Sequence, residues 1–430
     1  MKKVIFIFAA LLVAVPALQS CLKDEEELFD ENASVRMQST LDATQEILVA
    51  AEYGWVFEMY PEDGQSYGGY AFTLVFDDEK VAARSEIMGD NTYEVSSYYK
   101  MTNDDGPVLS FDTYNEIIHY FSTPSSSAYQ GYEGEFEFVI MDAEDDLITL
   151  QGKKTGNTMY MHALETDPES YLDAVTEMES SIYFCSLTGT VGGIEVYIEL
   201  DTEYRQATFS YGEEDEETIA YAVTDKGVRL YSDITLGSDT LDELYADIAD
   251  ETFVTSGEAS VSLVWDKPEF WREYDVFEGD YTFYYYSSKY KASVTLTPAG
   301  DNSSYIMSGL NSNYTLTLTY NLGEGRLELH SQEVGTYGSN YVWFCSWDST
   351  AGYLSWSTSY GMYLEWNGDE DSPVYEFYDL GAWTSYTVDS FILWQLDSSG
   401  SSAGNMSGAS AWYTNGTYQF PLLTNLTKVN

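Results

Sequence analysis

The chain of 430 residues carries 72 acidic against 18 basic side chains, a formal charge of −54 at pH 7. A field of that sign repels polyanions and excludes nucleic acid as a partner, and a hydrophobic content of 44% excludes a disordered chain. The 39 tyrosines suit strands with one wet face, and a body of about 400 residues divides into two or three domains.

Lys2 and Lys3 precede an apolar run from Val4 to Ala17. That run is shorter than the roughly 20 residues a membrane-spanning helix needs and fits the core of a signal peptide. It ends in Leu18-Gln19-Ser20-Cys21, which resembles a bacterial lipoprotein lipobox. A small Ser20 admits the peptidase, and the Cys21 thiol is the nucleophile that takes a diacylglycerol. The resemblance implies a signal peptide at 1–20 and a mature chain held on a lipid bilayer through acylated (palmitate-bearing) Cys21. The following Leu22-Lys23-Asp24-Glu25-Glu26-Glu27 looks like the surface-export signal of Bacteroidota lipoproteins, with Lys23, Asp24 and Glu25 at its centre. The same stretch reads as an acidic, solvated tether over 21–33. The expected location is the outer membrane, facing the cell exterior.

From residue 35, "VRMQSTLDATQEILVAAE" places Met37, Leu41, Thr44, Leu48 and Ala51 at helical spacing, and Gly54 ends the helix. Beyond Trp55 the period changes to two. "WVFEMY", "GGYAFTLVF", "KVAARSE", "YEVSSYYKM" and "GEFEFVIM" are short strands broken by turn residues, and "LITLQGKKTGNTMYMHAL" is a hairpin around Thr155-Gly156-Asn157. A second helix is expected at about Pro168 to Met178, N-capped by Asp167. More strands follow, and "YAVTDKGVRLYSDI" is similar to "YKMTNDDGPVLSFDTY". These suggest a helix-plus-meander region at 34–265, divided into similar subdomains at 34–166 and 167–265.

Around Asp266-Lys267-Pro268 the acid density falls, and seven of the ten tryptophans lie past residue 340. Strands then recur at short intervals, with Ser398 to Ser410 as a flexible loop. The fold class is therefore mainly β (α+β): antiparallel meander sheets with one or two short helices, then a C-terminal all-β barrel or sandwich at 266–430. Cys185 and Cys345 sit in apolar runs; an exported protein could join them, and two buried free thiols are the preferred reading.

Residues 48 to 165 carry a resemblance. "LVAAEYGWVFEMYPEDGQSYGGYAFTLVF", "PVLSFDTYNEIIHYFSTP", "GEFEFVIM" and "LQGKKTGN" are similar to a Bacteroidota surface lipoprotein family of unknown function, over roughly 34–260. The resemblance implies an accessory role in nutrient uptake beside a starch-utilisation-type TonB-dependent importer and its lid lipoprotein. It carries over no catalytic residues.

No motif supplies catalysis, a cofactor or a metal site. His119, His162 and His330 are far apart and read as strand residues rather than ligands. The acidic loops at 103–106, 212–217 and 369–371 lack the oxygen spacing of a calcium loop and read as solvated turns. There is no G-x-S-x-G, and "TGTVGGIE" at 188–195 is a strand-to-strand turn, not a phosphate loop. Binding remains. In "NYVWFCSW", Tyr341, Trp343, Cys345 and Trp347 share one strand face, and in "LSWSTSY" Leu354, Trp356 and Tyr360 alternate with serines. Trp343, Trp347, Trp356 and Tyr360 are the candidates for contact with a glycan or peptide. The alternative is a structural or adhesive surface protein whose tyrosine-rich strands meet other proteins.

Overall fold

The computed structural model describes residues 33–104, 106–126, 128–212, 215–255 and 261–429. Two compact units divide the chain: Met1–Ile182 with Gly189–Leu263, and Tyr183–Thr188 with Val264–Asn430.

The first unit begins with helix α1 (Ala33–Ala50), whose Leu41, Thr44 and Leu48 are buried at the spacing expected. Gly54 closes the segment at φ 79°, and a Cβ there would lie 2.5 Å from the Leu74 carbonyl oxygen. Ten strands follow: β1 (Trp55–Met59), β2 (Tyr70–Phe76), β3 (Lys80–Ser85), β4 (Val95–Tyr98) and β5 (Lys100–Asn103). Next come β6 (Pro107–Ser110), β7 (Tyr129–Tyr132), β8 (Glu137–Ala143), β9 (Leu147–Gly152) and β10 (Thr158–Ala163). All but β7 form a nine-stranded sheet in the order β4-β3-β2-β1-β10-β9-β8-β6-β5. The stretch "YEVSSYYKM", expected as one strand, is cut at Tyr99 into β4 and β5, which end up at opposite edges. The cause is the buried Tyr99 ring, edge-on to Phe76 at 5.0 Å, with its hydroxyl donating to the Asp77 carbonyl at 2.8 Å.

One face of the sheet, with Phe57, Phe72, Leu74, Met159 and Met161, packs with α1 into a single core. The other face carries the alternate residues, including Glu58 and His162. Helix α2 (Pro168–Ser181) starts as the sequence indicates, with Asp167 accepting from the Ser170 backbone N–H at 3.0 Å and Pro168 in the first turn. A closed barrel follows, built of β11 (Ser186–Val191), β12 (Ile194–Asp201), β13 (Gln206–Tyr211) and β14 (Asp215–Val223), then β15 (Gly227–Leu236), β16 (Asp239–Asp247), β17 (Thr252–Thr255) and β18 (Ser262–Trp265). The two segments expected to be alike thus take different architectures, an open sheet and a closed barrel. Their similar stretches are two hairpins, β5–β6 and β14–β15.

Arg205 ties barrel, sheet and helix together inside this unit. Its guanidinium meets Glu86 at 2.9 Å, Glu179 of α2 at 2.6 Å and the Gly69 carbonyl at 2.7 Å, and stacks over the Tyr70 ring at 4.3 Å. The side chains of Arg205 and Glu86 are each only 4% exposed. Glu86 also accepts from the Ala71 N–H at 2.7 Å, so the buried carboxylate is well served.

In the second unit the strands are β19 (Gly279–Tyr285), β20 (Tyr290–Pro298), β21 (Ser304–Asn311), β22 (Tyr314–Asn321), β23 (Arg326–His330), β24 (Gln332–Tyr337) and β25 (Asn340–Asp348). They continue with β26 (Tyr353–Ser355), β27 (Gly361–Trp366), β28 (Val374–Asp379), β29 (Ser390–Leu396), β30 (Ser402–Asn405), β31 (Gln419–Phe420) and β32 (Asn425–Lys428). A closed barrel runs β19-β20-β21-β22-β23-β27-β28-β32, and the remaining six strands form a separate sheet around β25 and β29. The loop expected at 398–410 is partly ordered as β30. There the Asp397 carboxylate accepts from the Ser399 and Ser401 N–H groups at 2.8 and 3.1 Å, and Trp394 Nε1 donates to the Ser402 hydroxyl at 2.9 Å. His119, expected on a strand, lies instead in the turns between β6 and β7.

Replacing Arg205 by alanine would strand Glu86 as an unpaired buried charge. We expect urea unfolding of Arg205→Ala to show a loss of about 3–5 kcal/mol. An unchanged midpoint would show that Arg205 is not what fastens the first unit.

Candidate functional site

Within the first unit, the outer face of β1, β9 and β10 and the strands β15 and β16 line a cavity of about 740 Å³ that opens to solvent. Glu58, Tyr60, Thr158, Tyr160 and His162 come from the sheet side, and Arg229, Tyr231, Asp233, Asp242 and Glu243 from the barrel. Strand alternation puts Glu58 there, because Phe57 and Met59 on either side of it point into the core. Arg229 and Glu243 are direct cross-strand partners. Just beyond them the register slips until Ile234 meets Leu241, so residues 230–233 bulge opposite Asp242 and help to line the cavity.

The Arg229 guanidinium donates to both Glu58 and Glu243, and the Tyr245 hydroxyl donates to the second oxygen of Glu243 at 2.9 Å. Tyr60 is fixed by its surroundings. Asn157 Nδ2 donates to the Tyr60 carbonyl at 3.0 Å, the Tyr231 ring meets it edge-on at 4.8 Å, and Gly69 leaves room for its outer end. A Cβ at Gly69 would sit 2.5 Å from the Tyr60 ring. Two polar atoms of the lining, the Tyr60 hydroxyl and His162 Nε2, are shielded from solvent and have no hydrogen-bond partner.

Burial dominates the ionisation here. It pushes the Glu58 carboxyl up to about 7, against the pull of Arg229 and with the push of Glu243. Burial, with the Arg229 charge added, pushes His162 down to about 4, so the imidazole is neutral at pH 7. Tyr60 is pushed well above its usual value by burial and then by Glu58. Burial opposes the charge of Arg229, but Glu58 and Glu243 hold it above its ordinary value.

Sequence reasoning passed over these residues. The available signal was Glu58 in the otherwise apolar "WVFEMY", since a carboxylate in a strand buried throughout requires a cation. The residues expected to bind are elsewhere, in the second unit. On β25, Val342, Phe344 and Ser346 are fully buried, while Trp343 and Trp347 are half-buried on the opposite face. Trp343 lies directly across from Trp394 of β29, and Tyr341 is 41% exposed. Cys345, between the two tryptophans, is completely buried, and burial pushes its thiol well up. It is not joined to Cys185, which is only half-buried. Trp356 follows the end of β26, and Tyr360 stacks on Trp383 at 5.1 Å. Trp383 meets Tyr386 at 4.8 Å, which in turn meets Tyr353 at 4.7 Å. Tyr360 is thus brought into an aromatic row, and Trp343 into a cross-strand pair with a ring not singled out in the sequence. Cys21, Lys23, Asp24 and Glu25 lie outside the described residues. Among the described residues, no group of three or more His, Cys, Asp or Glu could hold a metal ion, and no helix is long and apolar enough to cross a membrane.

A family model described as a domain of unknown function, DUF4302, matches residues 25–247, more than half of the chain. The chain belongs to the DUF4302 family. All the cavity residues named above fall inside the DUF4302 match. A second domain of unknown function, DUF4987, matches residues 255–394 and takes in Trp343, Trp347, Trp356 and Tyr360. No curated protein matches this DUF4302 chain. Among solved structures it is similar to the Helicobacter pylori beta clamp in complex with 3,4-difluorobenzamide, at 8% identity and TM-score 0.12, covering 72% of this chain and 94% of that one. It is also similar to the beta subunit of Streptococcus pyogenes DNA polymerase, at 9% identity and TM-score 0.13, covering 79% and 95%. Likenesses at these TM-scores carry no argument about fold or function.

Glu58 gives a pH dependence with a definite sign. Its folded value lies above the ordinary 4.5, so its contribution to stability is fully present below about 4.5 and is lost as the pH rises through about 7. Thermal unfolding from pH 5 to 8 should therefore show a wild-type decline that is shallower in Glu58→Gln, by up to roughly 3 kcal/mol over the window. Parallel curves would show that Glu58 is not the titrating group.

Proposed function

We propose that the protein is a non-catalytic accessory lipoprotein, anchored in the outer membrane through acylated Cys21 and displayed outward by the signal around Lys23, Asp24 and Glu25. In this reading it binds a nutrient glycan or peptide and works beside a TonB-dependent importer and its lid lipoprotein. The observation that carries the binding role is the aromatic surface of the second unit. Trp343 and Trp394 pair across β25 and β29, Trp347 follows on the same face, and a row of Tyr353, Tyr386, Trp383 and Tyr360 is built from residues of the same unit. Half-buried rings are held rigid by the protein on one side and offer the other to sugar faces or apolar side chains. The anchoring role is supported by the apolar run ending at Cys21 and the acidic stretch after it.

Two experiments test the two halves. Cys21→Ser should move the protein from the membrane pellet to the soluble fraction and abolish fatty-acid labelling, while the wild type should be cut by protease added to intact cells. Protection in intact cells would overturn outward display. For binding, the purified protein is passed over a glycan and peptide panel. We expect Trp347→Ala to weaken retention by about tenfold or more with little change in melting temperature. A wild type that retains nothing would overturn the binding role. Cross-linked transporter in the pull-down supports the importer association, and its absence favours an adhesive role.

A further inference from the structure

The cavity of the first unit is chemically unlike the aromatic surface. Its lining carries four carboxyl groups, Glu58, Asp233, Asp242 and Glu243, against a single guanidinium. Arg229 is already shared between Glu58 and Glu243. His162 adds no positive charge, because burial keeps it neutral. Asp233 and Asp242 stand exposed at the mouth with no basic side chain in the lining to meet them. An anion entering this space would meet an excess of like charge inside a chain of formal charge −54. A cation would be drawn to the mouth by the carboxylates there.

The lining residues also carry polar atoms left without partners. Tyr60 is 3% exposed, and its hydroxyl has no partner. His162 Nε2 is likewise unpartnered, and on a neutral ring protonated at Nδ1 it is an acceptor. Rings of Tyr60, Tyr160 and Tyr231 line the same space, and Tyr160 is 36% exposed, so a ring face is within reach of a cation. The volume, about 740 Å³, is in the range of small-molecule sites.

We propose that this cavity binds one organic nitrogen cation, an ammonium or guanidinium group of the kind carried by free polyamines and by lysine and arginine side chains. The carboxylates at the mouth select for charge, and the exposed Tyr160 ring offers a face to the cation. The site is separate from the aromatic surface and does not rest on the glycan or peptide reading given for it, so either can fail alone.

Calorimetry on the intact mature chain at near-physiological salt tests this with spermidine, a blocked lysine amide and a blocked arginine peptide, against phosphate and maltose as controls. We expect one saturable cation per chain, no phosphate binding and no preference for maltose. The double variant Asp233→Asn/Asp242→Asn alters only exposed side chains and should weaken cation binding by about tenfold. Tyr160→Ala should also weaken it, by a smaller factor. Spermidine binding more tightly than the peptides identifies a free polyamine as the ligand source, and the reverse order identifies a peptide side chain. Three results would overturn the proposal: many weak unsaturable cations per chain, maltose bound in preference, or binding unchanged in the double aspartate variant with the fold intact.

Discussion

The first unit depends on one buried ion pair. Arg205 and Glu86 are withdrawn from water together, and removing Arg205 leaves the Glu86 carboxylate without a cation. The pair does more than balance charge. Through the Gly69 carbonyl it fixes the loop against which the Tyr60 ring end rests, and through Glu179 it holds α2. Arg205 begins from the barrel turn between β12 and β13, so this contact fastens the barrel to the sheet. The cavity is the space left over by that arrangement.

A chain with few bases uses them with economy. Arg84, Arg205, Arg229, Arg272 and Arg326 each meet at least one carboxylate, and most of them also lie over an aromatic ring or in a buried setting. The fork of a guanidinium can serve two carboxylates at once, which a lysine ammonium does less specifically. Arg229 uses that property to hold Glu58 and Glu243 on opposite walls. The result is a polar interior lined by side chains from both layers rather than a second apolar core.

Much of the fold was legible because strand alternation and turn chemistry are local. Asp167 capped α2 as expected, and the Thr155-Gly156-Asn157 turn formed a hairpin, with Glu135 accepting from the Lys154 and Thr155 N–H groups to hold it. Failures came where a distant packing partner decided the outcome. Tyr99 splits a strand because its ring fits beside Phe76, whereas β30 forms in a serine-rich stretch through nearby contacts, with Asp397 and Trp394 holding it. The cavity was hidden for the same reason. Its aromatic and charged residues are divided among β1 and the residue after it, β10, β15 and β16, and no spacing in the sequence joins these separate groups. The tryptophans of the second unit were conspicuous in the sequence because they cluster there.

Glu58 and Arg229 are 171 positions apart, and Arg205 and Glu86 are 119 apart. Contacts that close such long loops form late, because the entropy of bringing the ends together is lost before the contact returns anything. The nine-stranded sheet is complete by Ala163, yet its outer face has no opposite wall until β15 and β16 are in place. The cavity is therefore a product of contacts far apart along the chain, and a chain interrupted before β15 would lack the wall that carries Arg229.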